Sequence, residues 1–384
     1  MFHIKLGVLI DLLNFKIMLL VGSVLIVVLV ATSTAYEHHD DLDCTITEFS
    51  QVKHVTKKCK DIIIKDLVVP GGTTLKLSLK HGSTLEFQGK TSFKYFNWKG
   101  PLLKISGDHV HIRGAEGHVL HGDGQLYWDG LGAKGVVKPK FIALSLNNSV
   151  IENINVKNCP VHCVSVSNSN NVIMSKWDID VSEGNKNNFT GHNTDGFDLS
   201  SNNITIKDSV VRNQDDCVVV NRGSDFIVSN VSCYGGHGLS ISVGFSDDDF
   251  ERNSVHNVLF ENCLVDTSPN GIHVKTHSDS GPGIVDNVVY RNIKLNNINN
   301  FAINVQQDYS DGEATGTPGT NIPIVGLVLE NIEGHMESLN DSPTLANYIL
   351  CGDKACSKWE FKNIKITGAQ NKSFCNFVPD GYVC

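Results

Sequence analysis

Five stretches from the middle of this chain align under one another. They are "NNVIMSKWDI" from Asn170, "NNITIKDSVV" from Asn202, "SDFIVSNVSC" from Ser224, "HNVLFENCLV" from His256 and "DNVVYRNIKL" from Asp286. Each carries a polar pair, a short β-branched or apolar run, a polar residue and more apolar residues, and the starts lie 32, 22, 32 and 30 residues apart. Recurrence at 20 to 50 residues marks a unit that buries its apolar face only by stacking on copies of itself. The short Val- and Ile-rich runs between Asn, Gly, Ser and Asp read as strands and turns. A parallel coil of strands follows, with like positions of successive turns stacked about 4.8 Å apart. Apolar columns would fill the inside, and an Asn column would form an internal hydrogen-bonded ladder. The competing repeat fold, a propeller, needs four strands and a signature in each blade of about 40 residues, and neither is visible. The fold class expected is therefore all-β: one right-handed parallel β-helix, with a short capping helix around Thr45 to Val55.

The chain has 384 residues, 41% hydrophobic and 19% charged, enough for one large core. A formal net charge of -9 without clustered Lys and Arg argues against nucleic acid as the main partner. Residues 1–35 read as a signal peptide. Lys5 and Lys16 precede the apolar run Ile17 to Val30, and small residues follow at Ser33 to Ala35. The run falls short of the ~20 residues of a membrane span, and residues 36–384 are expected to form one secreted domain with no membrane association. Eleven cysteines in an exported chain should mostly pair, and an odd number leaves at least one free. The near neighbours Cys44 and Cys59, Cys217 and Cys233, Cys351 and Cys356, and Cys375 and Cys384 look like clips on short loops. Glycosylation acceptors occur at Asn147, Asn188, Asn203, Asn230 and Asn371.

Polar residues interrupt the apolar pattern in step with the repeat. Asp195 lies in "HNTDGFD", and Asp215 and Asp216 in "NQDDC" follow about one short turn later. One turn further, "GGHGLS" brings His237 between glycines; "NGIHVKTH" adds His273 and Lys275, two apart and so on one strand face; "QQDYSDG" supplies Tyr309. Adjacent aspartates ordinarily form a solvated turn, and "SDDDF" (Ser246 to Phe250) reads as one. Recurrence in a column instead points to a groove along the coil. Crowded carboxylates push one another's pKa values apart, so that one keeps its proton while its neighbours ionise. Glycoside hydrolysis uses that arrangement: one carboxyl protonates the leaving oxygen and another acts on the opposite face of the sugar.

The series "NTDGFD", "NQDDC", "GGHGLS", "VKT" and "QQDYSDG" with "TGTP", in this order and spacing, resembles that of the polygalacturonases, glycoside hydrolase family 28. The likeness runs from about Cys44 to Cys384 and includes "GHVLHGDGQLYWDG", "KPKF" and "YILCGDKACSKW"; it is similar above all to endo-acting enzymes of fungi and plant-feeding insects. The resemblance implies secretion and hydrolysis of α-1,4 bonds in homogalacturonan, with inversion and without metal or other cofactor. By motif, Asp215 would be the general acid and Asp195 and Asp216 would activate water. His237 would support the acid's protonation, and Lys275, Tyr309, Asn193, Gln307 and the residue at His273 would bind substrate. It also implies that the four cysteine pairs named above are bridged, leaving Cys159, Cys163 and Cys263 unassigned. A monomer is expected, with pectin oligosaccharides and plant leucine-rich-repeat inhibitor proteins as partners. Strands ~4.8 Å apart would bring the acids nearer than the ~6.5 to 9.5 Å of inverting enzymes, a tension with the resemblance.

At His273 the sequence departs from the family, whose pattern there is Arg-Ile-Lys. A His facing the groove would be cationic only below roughly pH 6 to 7. Binding of an acidic substrate would then weaken towards neutrality. Two readings stay open: an acid-range polygalacturonase of reduced or shifted activity, and a non-catalytic relative that binds pectin fragments or occupies host inhibitors. A hydrolase of another galacturonan is a further alternative. A calcium-dependent lyase would need a second cluster of acidic ligands, which the sequence lacks.

Overall fold

A computed structural model describes residues 43–186, 190–310, 312–339 and 343–384. The expected signal peptide and the Asn188 acceptor lie outside the described residues. Among the described residues twenty-five strands join in one sheet, almost all pairs parallel. Among the described residues no helix is long and apolar enough to cross a membrane.

The repeat alignment is the strand register. Asn170 stands beside Asn202, Asn202 beside Ser224, Ser224 beside His256 and His256 beside Asp286. Alternation along each strand then separates inside from outside. One inward column runs Val164, Phe197, Val218, Leu239, Ile272, Ile303, and a second runs Val166, Leu199, Val220, Ile241, Val274, Val305. All twelve are buried, with Phe260 and Tyr290 stacked at 4.7 Å elsewhere in the core. The outward row between these columns is Ser165, Asp198, Val219, Ser240, His273, Asn304. That row is the floor of the site.

The asparagine ladders differ from expectation: they lie on exposed turns, not inside. Asn148, Asn171, Asn203, Asp225, Asn257 and Asn287 all take left-handed φ of 47° to 65°, a conformation that Asn and Asp tolerate better than other side chains. Their amides bond along the column, as Asn171 to Asn148, Asn257 to Asp225 and Asn287 to Asn257, each at 2.9 Å. A second ladder joins Asn262, Asn292, Asn331 and Asn363 at 2.8–3.0 Å. The corners need tight backbone turns that recur at every coil, so the polar column is a turn device while the interior stays apolar.

The capping helix is Val52–Lys58, later and shorter than expected, preceded by a strand at Thr45–Ile46 and a 3₁₀ turn at Phe49–Gln51. Its Val52 and Val55 join Ile46 in the core. The four implied disulfides are present, and Cys159 pairs with Cys163, leaving Cys263 as the buried free thiol. Of the glycan acceptors, Asn147, Asn203, Asn230 and Asn371 are exposed.

Candidate active site

A groove of about 1000 Å³ crosses the outward face of six successive strands, from Ser165 to Gln306. Its centre is the turn that carries Asp215 and Asp216. Buried Asn213 pins this turn: its amide nitrogen lies 2.9 Å from the carbonyls of Thr194, Asp215 and Asp216. Gly196 N–H donates to Asp216 C=O at 2.9 Å, and His237 N–H to Asp215 C=O at 2.7 Å. Three neighbouring coils thus hold Asp195, the aspartate pair and His237 in register. The Cys217–Cys233 bridge ties the start of the next strand to the end of its coil.

Each acid has a different set of partners. Asp216 accepts from Ser240 Oγ at 2.6 Å and from Lys275 Nζ at 2.9 Å, with both charged side chains over 90% buried. Asp215 lies 3.2 Å from His237 Nδ1 and accepts from Asn193 Nδ2 at 3.0 Å. Asp195 has no cation of its own: His162 Nε2 is 3.9 Å away, its other nitrogen bonded to Asp198, and Asp195 Oδ1 accepts no hydrogen bond. Burial and the charge of Asp215 therefore hold the Asp195 carboxyl well above the usual carboxylate range. Burial also works to raise Asp215, but the charge and hydrogen bond of His237, with Lys275, outweigh it and hold Asp215 low. Burial disfavours charge on His237 as well, yet Asp215 and Asp216 lift it to about 9. For Lys275 burial is likewise outweighed, chiefly by Asp216, and its pKa is raised.

The outward row supplies the rest. His273 and Lys275 both face the groove, as their spacing predicts, and Lys275 Nζ sits 5.0 Å over the Tyr309 ring. Neither ring nitrogen of His273 has a hydrogen-bond partner. Burial, then Lys275 and His237, hold its pKa well below the ordinary histidine value. The expected charging of His273 below pH 6 to 7 is thus moved to lower pH, by burial first and then by Lys275 and His237. Asn193 lines the groove as predicted. Gln307 does not. It is fully buried, accepting from Gly352 N–H at 3.0 Å and donating to Ile322 C=O at 2.8 Å, while Gln306 faces the groove. Alternation from the inward Val305 makes Gln306 outward and Gln307 inward. That parity was readable in the sequence.

Sequence reasoning passed over His162 and Asp198. His162 bonds Asp198 through Nδ1 and faces Asp195 with Nε2. Burial opposes its charge, but Asp198 and Asp195 prevail and raise its pKa to about 9. Asp198 stands in the quoted "NTDGFD", three residues after Asp195, and its outward parity was the available signal. The ligand atoms of Asp215, Asp216 and His237 lie within 4.8 Å of one another, as do those of His162, Asp195 and Asp198, close enough to hold a cation. Protein cations already occupy these positions: Lys275 and His237 in one group, His162 in the other.

Comparison with known proteins gives a consistent result. A polygalacturonase of Phaedon cochleariae is 46% identical over 349 residues, 90% of this chain and 94% of that protein. Endopolygalacturonase A of Aspergillus niger is 43% identical over 346 residues, covering 89% and 90%. Among solved structures, endopolygalacturonase I of Stereum purpureum, complexed with two galacturonates, superposes with a TM-score of 0.75 at 27% identity, covering 86% of this chain and 96% of that one. The model of glycosyl hydrolases family 28 matches residues 59–384, and the chain is a member of that family.

Proposed function

We propose that this chain is a secreted endo-polygalacturonase that hydrolyses α-1,4 bonds within homogalacturonan by single displacement with inversion. The observation that carries the reading is a trio of buried carboxylates, each differently compensated, on the floor of a groove six strands wide. Five strand intervals amount to about 24 Å, room for several sugars on both sides of the acids, which supports cleavage inside a chain. The names of the relatives support the substrate class.

Asp215 donates a proton to the leaving glycosidic oxygen, while Asp195 and Asp216 orient a water and take its proton. The Asp195 carboxyl is held above its usual range and His237, raised to about 9, shares a proton with Asp215, so the cluster titrates as a unit. Catalysis requires the pair's proton to lie on Asp215, supplied from His237, and Asp195 to ionise for the water. Lys275 fixes Asp216 and presents its remaining N–H groups to a substrate carboxylate; Tyr309 packs beside it. A signal peptide at residues 1–35, a monomeric catalytic domain over 36–384 and recognition by leucine-rich-repeat inhibitors belong to the same proposal.

One observation favours the second reading, an impaired relative that binds pectin fragments: the neutral, unpartnered His273 stands where the family carries Arg. An assay on polygalacturonic acid between pH 4 and 7 separates the two. Reducing ends with oligomeric products from the outset support endo-hydrolysis; none at any pH, with oligogalacturonide binding intact, overturns it. Proton NMR of the first product tests inversion, which an anomer of retained configuration would refute.

A further inference from the structure

Of the five arginines in the chain, three are in ion pairs on the coil surface: Arg113 with Glu86, Arg212 with Asp178 and Arg291 with Glu330. The other two, Arg222 and Arg252, have no acidic partner among the described residues, and both line the groove. They also line an adjoining recess of about 580 Å³, so they stand where groove and recess meet. We propose that Arg222 and Arg252 form a second uronate-carboxylate site, one that takes over the anion recognition which His273 does not provide. This rests on the galacturonan reading above and deepens it.

Both positions are built. Leu199 pairs with Val220 but Ser200 with Arg222, so Asn221 is an extra residue that shifts the register. A bulge of this kind re-aims side chains, and here both Asn221 and Arg222 line the groove. Arg222 is half-buried. Arg252 is carried by the loop that opens with "SDDDF", whose acids are exposed as the sequence suggests. The loop is clasped from beneath by Asn253, which has no exposed surface. Its Oδ1 accepts from Ser246 N–H at 2.9 Å and its Nδ2 donates to Ser246 C=O at 2.7 Å. Ser246 Oγ accepts from Asp249 N–H at 3.1 Å, and Ser254 Oγ donates to Phe250 C=O at 2.6 Å. Two acids share the recess, Asp249 and Glu251; Asp249 Oδ1 is already engaged by the N–H of Arg252 at 3.1 Å.

The chemistry follows from the ligand. A guanidinium presents its donors in a planar fork that matches a carboxylate, keeps its charge at any working pH, and is only weakly hydrated. Homogalacturonan carries one carboxylate per sugar, so a chain crossing the groove brings further anions past Ser200 towards this pair. Arg222 stands beside Ser200, two residues past Asp198 of the outward row, and lies six residues past Asp216 along the chain, to the side of the reacting acids. Its ligand is therefore a sugar other than the one cleaved. The site acts on affinity and on the placing of the chain, not on bond breaking.

The test uses the full secreted chain and the Arg222→Ala/Arg252→Ala double variant, with thermal unfolding as the check on folding. Arg222→Lys/Arg252→Lys keeps the charge and loses the fork, so it remains informative if the alanine variant unfolds. Initial rates are measured on tri- and hexagalacturonate, and hexagalacturonate binding is measured by calorimetry in an Asp215→Asn background. The expected result is a KM for the hexamer raised about tenfold or more, kcat unchanged, little change for the trimer, and intermediate values for the lysine variant. Hydrolysis with an unchanged hexamer KM and Kd in folded variants overturns the inference and leaves the hydrolase reading standing. Hexamer binding that weakens in the double variant of a protein releasing no reducing ends upholds the inference and overturns hydrolysis. No binding of either oligomer by the unsubstituted protein overturns both.

Discussion

Replacing His273 by Arg gives the sharpest test of how this groove reads charge. His273 is 6% exposed, both its ring nitrogens lack partners, and burial with Lys275 and His237 keeps it neutral. Its contribution to binding a uronate carboxylate is thus that of a neutral ring. An arginine there would bring a permanent charge and two parallel N–H donors. A hydrogen bond to a charged group contributes about 1.5–3 kcal/mol, or about 10- to 150-fold in kcat/KM at about 1.36 kcal/mol per decade. Lys275 and His237 would repel the added cation, so that range is an upper bound. The pH dependence of the gain discriminates more strongly than its size. Neither a neutral His273 nor an arginine changes charge between pH 4.5 and 6.5, so the ratio of kcat/KM for His273→Arg over the unsubstituted protein should be equal at both. A titrating histidine would instead act as a cation at pH 4.5 and lose its charge by 6.5, confining the gain to the higher pH. Rates on polygalacturonic acid at the two pH values decide. A gain several-fold larger at pH 6.5 refutes the claim that its neighbours hold His273 neutral.

Lys275→Met should destabilise the protein by about 3–5 kcal/mol in urea unfolding, because it leaves buried Asp216 without its counter-ion. Adding Asp216→Asn should restore most of the stability and none of the activity; a loss below about 1 kcal/mol for Lys275→Met alone would contradict the pair's role. His162 and His237 both have folded pKa values near 9, raised above the ~6.5 of an unfolded histidine. Their stabilisation is complete below about pH 6.5 and is lost as pH rises through 9. The unfolding midpoint should fall over that window, and His162→Gln should flatten the fall; a midpoint constant from pH 6.5 to 9 would count against both ion pairs. Burial pushes the Cys263 thiol up to about 12, so the native protein should not react with a disulfide reagent at pH 8, and the urea-unfolded protein should release one thiol per chain. Rapid native reaction would mean that another cysteine is unpaired.

The linear order of residues determined the coil. A unit that buries its apolar face only against the next copy imposes its own register, which is why Asn170, Asn202, Ser224, His256 and Asp286 could be aligned by eye and are hydrogen-bonded neighbours. The same periodicity placed Asp195, the Asp215–Asp216 pair and His237 in the turns just before successive strands, and period-2 alternation along Asn270–His277 sends His273 and Lys275 outward to the same groove. Where alternation was not applied, the reading failed: Gln307 points inward by the same parity that turns Gln306 out. The Asn ladders lie at the corners because turn geometry, which a sequence pattern does not show, decides where left-handed residues are needed.

Only the tertiary structure decided which charges compensate one another. That Lys275 pairs with Asp216, that His237 pairs with Asp215 and that the Asp195 carboxyl is held above its usual range depend on distances between side chains on different coils. The lowered pKa of His273 has the same origin, since an isolated histidine titrates near pH 6.5 and this one is buried beside Lys275 and His237. Strand registers are set by backbone periodicity and can be read locally. Protonation states are set by the summed field of neighbours far apart in sequence, and that sum exists only once the chain is folded.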